Sequence, residues 1–217
     1  LFSLTELPRR LLVIGGGPIG CELAQAFAHF GSEVTLFDQA PHVLPREDPD
    51  AAAVVQRRLV EEGITLELGV TLIEAIDVSG QIRVRFQRPN GAGVEEVVGD
   101  RLLVSAGRAP NIDGLGLEAA GVSVSKRGVI VNDQLRTSNR RIYAAGDVCS
   151  AFQFTHAADA MARVVIQNAL FYGRRRASAL VIPWCTYTEP EVAHVGMYEQ
   201  EARQLGHDAQ TITVELT

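Results

Sequence analysis

Residues 10–38 read RLLVIGGGPIGCELAQAFAHFGSEVTLFD. Leu11 to Ile14 form a continuous apolar run, as a strand buried on both faces requires. Gly15, Gly17 and Gly20 follow at the G-x-G-x-x-G spacing that closes a strand and opens a helix. Ile19, Leu23, Ala26, Phe27 and Phe30 recur at helical spacing and predict one packed helix face. Gly31 stands where a helix C-terminus takes a left-handed residue. A second apolar run, Val34 to Phe37, ends in Asp38, about 20 residues beyond the fingerprint, where a dinucleotide fold places its ribose-binding acid.

The residue types match the chemistry of a pyrophosphate. Gly15 and Gly17 offer a floor of bare backbone amides, and the helix N-terminus adds unpaired N–H groups and about half a positive charge. Gly20 lets helix and strand approach. Asp38 accepts hydrogen bonds from both ribose hydroxyls of an adenosine and repels a 2'-phosphate, so NAD is favoured over NADP. Arg46, folding back from the following loop, is the residue that would reverse that preference.

Beyond Asp38 the sequence predicts a second helix over Pro49 to Glu62, a stop at Gly63 and a strand through Leu68. Apolar and polar residues then alternate through TLIEAIDVSG, QIRVRFQRPNG and GVEEVVGD, with turn signals at Ser79-Gly80 and Asn90-Gly91, the pattern of an antiparallel meander. RLLVSAG returns to a buried run whose end, Gly107, sits at a second ligand-facing strand end near the first. GVIVNDQLRTSNRRIYAAGD predicts two short strands. In the second, Ile142 to Ala145 form a buried run ending at Gly146 and the carboxylate of Asp147, as a strand that meets a cofactor would. A helix is expected from Thr155 to Tyr172, then strand, helix and strand, the last being Thr211 to Leu216. A terminal strand with no neighbour points to a missing partner segment or another chain.

Composition narrows the function classes. With 47% hydrophobic and 21% charged residues the chain has an ordinary globular balance, and no apolar run approaches the ~20 residues that span a bilayer. A net charge of −6 without a basic face argues against nucleic acid and acidic membranes as partners. Arg174 to Arg176 read as a solvated helix end. The opening LFSLTELPRR is the reverse of a signal peptide, and three scattered cysteines form no disulfide framework, so a cytoplasmic location is expected.

Five blocks, VIGGGPIGCELAQAF, SAGRAPN, LRTSNRRIYAAGDV, FTHAADAMARVVIQNALF and YTEPEVAHVG, together resemble the pyridine nucleotide-disulfide oxidoreductases, in the branch of mercuric reductase and dihydrolipoamide dehydrogenase. The resemblance covers essentially the whole chain. It implies an α/β fold: a Rossmann-like NAD-binding domain with a parallel sheet, helices and an antiparallel meander over 1–113, the C-terminal part of an FAD-binding domain over 114–180, and the start of an α+β dimerisation domain over 181–217. It assigns the turn Gly15, Gly16, Gly17, Pro18, Ile19 and Gly20 to the NAD pyrophosphate. It assigns Glu22 to the nicotinamide-side ribose, Asp38 to the adenine-side ribose, Val70 to the adenine and Gly107 to the nicotinamide end. Gly146 and Asp147 would meet the ribityl and pyrophosphate region of FAD, with His156 and Ala157 near the isoalloxazine edge.

The family also carries an N-terminal glycine fingerprint for FAD and a C-x-x-x-x-C redox pair. Neither is found here, and Cys21, Cys149 and Cys185 stand too far apart to replace the pair. Cys21 reads as small core filler, Cys149 and Cys185 as structural, and no metal-ligating set is expected. The expectation is therefore the middle of a longer, homodimeric flavoenzyme passing hydride from NADH through FAD to a disulfide or metal ion. This chain alone would be a catalytically inert NAD-binding module. A reductase that borrows flavin from a partner chain is a third reading, without a distinctive residue behind it.

Overall fold

A computed structural model describes every residue except Phe2, Asn90, Ala92 and 215–217. Two compact units emerge, one of Leu1–Gly107 with Trp184–Thr217, the other of Arg108–Pro183. The segment from Trp184 onward packs with the first unit.

The first unit is built on four parallel strands, β1 (Arg10–Ile14), β2 (Glu33–Asp38), β3 (Thr65–Leu68) and a later strand, Arg101–Val104, in the order β3, β2, β1, Arg101–Val104. Helices α1 (Pro18–His29) and α2 (Pro49–Glu61) make the crossovers. The strands β4 (Thr71–Val78), β5 (Gln81–Gln87) and β6 (Glu95–Gly99) form the expected meander, and Arg101–Val104 is β7. Ser79 and Gly80 turn between β4 and β5 with φ of 56° and 84°. The second expected turn includes Asn90, which lies outside the described residues.

Strand alternation divides the core. Leu11 and Val13 of β1 with Val34 and Leu36 of β2 pack toward Cys21 and Ala24 of α1 and Val55 and Leu59 of α2. Leu12 and Phe37 face the other way, against Val70, Val84 and Phe86. The Phe37 and Phe86 rings meet edge to face at 5.2 Å, and burial of such a ring contributes roughly 1.5–3 kcal/mol. Gly99 permits this layering, because a Cβ there would lie 2.6 Å from Leu12 Cγ.

Two expectations change. The packed face of α1 is Gly20, Cys21, Ala24 and Gln25, whereas Ile19 and Phe30 are 48% and 70% exposed. Small residues win that face because they let helix and sheet close together. Nor is β7 buried throughout: among the described residues it pairs with β1 alone, and Val104 is 65% exposed. The unit closes with an antiparallel pair, β10 (Trp184–Thr186) and β11 (Val192–His194), and the short helix α4 (Glu199–Gln204). No strand forms over 211–214, and the remainder of the expected terminal strand lies outside the described residues.

The second unit contains the hairpin of β8 (Val124–Ser125) and β9 (Gly128–Val129) and the helix α3 (Thr155–Leu170). The anticipated buried strand at Ile142 to Ala145 is a correction. The segment is half-buried and linked by a single bridge, Arg136 to Tyr143, with no strand among the described residues along its other edge to complete a ladder. A small core of Leu135, Met161 and Val164 holds this unit.

Candidate functional site

In the first unit the register pairs Ile14 with Phe37 on one side and with Val104 on the other, so three strands end together. The chain order reverses at β1, and the C-terminal ends on either side of such a reversal open a crevice. Gly15 enters it with φ 107°, donating its N–H to Phe37 O at 2.8 Å. A Cβ on Gly15 would lie 2.7 Å from Ser105 O, and one on Gly20 would run into Gly15 O. Gly17, by contrast, has open space where a Cβ would project. It caps α1 in extended conformation with Pro18 at the first helical position, so the N–H groups of the first turn have no intrahelical acceptor. The floor is bare backbone, open outward and backed by a twelve-residue helix.

Asp38 points into this turn. Gly16 donates its N–H to Asp38 Oδ2 at 2.5 Å, and Ala40 donates to Oδ1 at 2.6 Å. A carboxylate has about four acceptor positions, so it keeps two after these bonds, enough for a diol. Glu22 on α1 accepts the Tyr187 N–H at 2.8 Å, which commits one of its oxygens. Val70 is 1% exposed, its side chain sealed among Leu12, Phe37, Val84 and Phe86, so only its main chain can meet a ligand. Gly107, with φ 106°, is exposed two residues past Ser105. Ile19 stands off the packed face beside the turn.

Sequence reasoning missed Ser105, whose hydroxyl reaches Ile14 O at 2.9 Å and Gly15 O at 3.0 Å and so holds the turn from below. Its only signal is a small hydroxyl just after an apolar strand. Leu44 was missed too: its N–H donates to Gly16 O at 2.7 Å, and nothing in an apolar loop residue announces that. Cys21 is buried and bonded to Gly16 O, and burial pushes its thiol up to about 12, the behaviour of core filler.

In the second unit Gly146 has φ 79°, and a Cβ there would lie 2.9 Å from Ala158 Cβ, so α3 begins pressed against it. Asp147 is not a lone carboxylate: Arg108 donates to its Oδ2 at 2.9 Å and to Gln153 O at 2.9 Å. His156 meets Pro183 O through Nε2 at 2.7 Å, and because a carbonyl only accepts, that nitrogen carries the proton. The His156 ring stacks on Phe154 at 5.4 Å. Ala157 is fully buried, leaving its N–H in the first turn of α3 as its outward group.

Among the described residues no three His, Cys, Asp or Glu side chains gather as a metal site, and no helix is long and apolar enough to cross a membrane.

The geometry meets its counterpart in known proteins. A mercuric reductase of Lysinibacillus sphaericus is 40% identical over 217 residues, all of this chain and 39% of that protein. A dihydrolipoyl dehydrogenase of Thermus scotoductus is 39% identical over 203 residues, 93% of this chain and 44% of that one. The solved structure of the HOCl-induced flavoprotein disulfide reductase RclA from Escherichia coli superposes with a TM-score of 0.82 at 33% identity, covering 93% of this chain and 46% of that one. The chain thus spans about two fifths of the length of the curated relatives it matches. The model of the pyridine nucleotide-disulphide oxidoreductase family matches residues 1–162, and that of the family's dimerisation domain matches residues 182–217. With the glycine turn, its acid and the parallel sheet all in place beneath those matches, the chain belongs to the pyridine nucleotide-disulphide oxidoreductase family.

Proposed function

We propose that the first unit binds NADH in preference to NADPH, as the nucleotide-binding part of an FAD-dependent oxidoreductase that acts on a disulfide or a metal ion. The observation that carries this is the Asp38 carboxylate fixed by Gly16 and Ala40 beside the open face of Gly17. A 2'-phosphate brought near Asp38 meets a like charge, and two charges at ~4 Å repel by about 1 kcal/mol in water and about 4 at an effective dielectric of 20. Arg46 is exposed and has no ion-pair partner among the described residues, so it supplies no compensation where it stands.

The chain's own residues fit the nucleotide: Gly15, Gly16, Gly17, Pro18, Ile19 and Gly20 shape the pyrophosphate floor, Asp38 takes the adenine-side ribose, and the free oxygen of Glu22 takes the other ribose. Gly107 borders the nicotinamide end, and the main chain at Val70 borders the adenine. For the flavin the fit is partial. Residues near Gly146, the second oxygen of Asp147, and the N–H groups of His156 and Ala157 at the start of α3 suit its ribityl and ring edge. When bound, the flavin supplies two-electron transfer between nicotinamide and acceptor. Residues 1–113, 114–180 and 181–217 correspond to NAD, FAD and interface domains of a homodimer; the dimerisation-domain match over residues 182–217 supports the last of these. The mercuric reductase and dihydrolipoyl dehydrogenase relatives support a metal ion or a disulfide as acceptor. With its cysteines only at 21, 149 and 185, this chain by itself is inactive.

Fluorescence titration tests the reading: NADH binds at least about tenfold tighter than NADPH, a ~1.4 kcal/mol difference, and Asp38→Ala narrows the gap. Equal affinities with no effect of Asp38→Ala refute the ribose assignment. Dye-coupled NADH oxidation by the colourless chain would overturn the inert-module part.

A further inference from the structure

The loop over residues 39–48 leaves Asp38 and returns to the glycine turn, where the Leu44 N–H holds Gly16 O at 2.7 Å and the Glu47 N–H holds Leu44 O at 2.9 Å. Glu47 is only 8% exposed, and both of its oxygens are occupied. The Trp184 indole N–H donates to Oε1 at 2.8 Å and the Tyr198 hydroxyl to Oε2 at 2.7 Å. His194 stacks against both of those rings, with centroids 4.3 Å from Trp184 and 3.9 Å from Tyr198, and the two rings themselves lie 6.1 Å apart. A buried charge held by two donors sits in one place, because losing either donor strands it.

We infer that Glu47 is a positioning residue for the glycine turn. Clamped by Trp184 and Tyr198 from the chain's C-terminal segment, it fixes Leu44. Leu44 in turn holds the carbonyl of Gly16, whose own N–H, in the adjoining peptide, donates to Asp38. The segment from Trp184 onward thereby sets the shape of the nucleotide cradle. Its docking does not rest on Glu47 alone: Gln25, 4% exposed on α1, exchanges two hydrogen bonds with the Glu189 backbone at 2.7 and 2.9 Å. Removing the clamp therefore loosens the loop and leaves the hairpin in place. The ligand consequence rests on the nucleotide reading above; the clamp itself does not.

The test compares Glu47→Ala, Glu47→Gln and Tyr198→Phe in the full chain, by amide NMR of Gly16 and by titration with NADH, ADP-ribose and nicotinamide mononucleotide. Glu47→Ala shifts the Gly16 amide and weakens NADH and ADP-ribose by roughly fivefold or more, the lower end of typical coupling between sites. Nicotinamide mononucleotide, which lacks the adenine-side ribose, is unaffected. Glu47→Gln, which can still bond both partners, restores the wild-type values. Tyr198→Phe gives a smaller shift of the same kind and serves where Glu47→Ala fails to fold. A Gly16 amide that stays put while the Trp184 indole N–H resonance moves overturns the inference. A Gly16 amide that follows Glu47 in a chain that binds no NADH supports the clamp and sinks the nucleotide reading instead.

Discussion

At the scale of single residues, two glycines of one turn separate packing from binding. Gly20 has no room: an added methyl group runs into Gly15 O and comes within 2.8 Å of Ser105 Oγ. Gly17 has room, and its φ of −75° is open to any residue. Gly20→Ala is accordingly expected to destabilise the fold by about 1–3 kcal/mol, the range for overpacking. Gly17→Ala should leave the stability within about 0.5 kcal/mol of wild type while weakening NADH binding, because its methyl group occupies the space above the amides. Thermal melts paired with NADH titration check both, and a Gly17→Ala variant with unchanged affinity would show that no ligand lies over that face.

Among the elements, α1 and α2 are joined through Glu62, just past the end of α2. Its carboxylate meets His29 at 3.0 Å, Arg58 at 2.7 Å and the Gln25 amide at 2.9 Å. Burial pushes the Glu62 carboxyl up, but the hydrogen bonds from Gln25 and His29 and the Arg58 charge outweigh it and hold it below 4.5. A folded-state value below the unfolded one means the contribution is present above pH 4.5 and is lost as pH falls through the folded value. Asp100, held low by the Arg10 backbone N–H, adds to the same acid limb. Melting temperature should therefore drop below pH about 4.5, and Glu62→Gln should flatten that limb while lowering stability at neutral pH. An acid limb as steep in Glu62→Gln as in wild type would remove Glu62 from the account.

Across the whole molecule the two units differ in how much they bury. Among the described residues the first has twelve buried residues in one apolar cluster and five in another; the second has a cluster of three. Amide exchange is expected to run fastest through Arg108–Pro183 and slowest in β1 and β2, since local opening follows buried apolar contact. Met161→Ala, which empties part of that small core, should cost about 2–5 kcal/mol and speed exchange in α3 with β1 unchanged. Uniform exchange across both units would mean they unfold as one.

What the sequence determined by itself is whatever local pattern encodes. Apolar runs, glycine spacing and alternation gave β1, α1, β2, α2 and the meander, the turn at Gly15 to Gly20 and the acid that ends β2, because strand and helix periods and the needs of a bare-backbone turn are written within a few residues. Tertiary structure decided the rest. Which face of α1 packs was settled by how close small side chains let it come to the sheet, and the burial of β7 by whether a neighbour lies on its other edge. The partners of Asp147, Glu22 and Glu47 are 39, 165, 137 and 151 residues distant in the chain, as Arg108, Tyr187, Trp184 and Tyr198. Hydrogen bonds over such separations leave no periodic trace, because the donor is chosen by the fold and not by its neighbours in sequence.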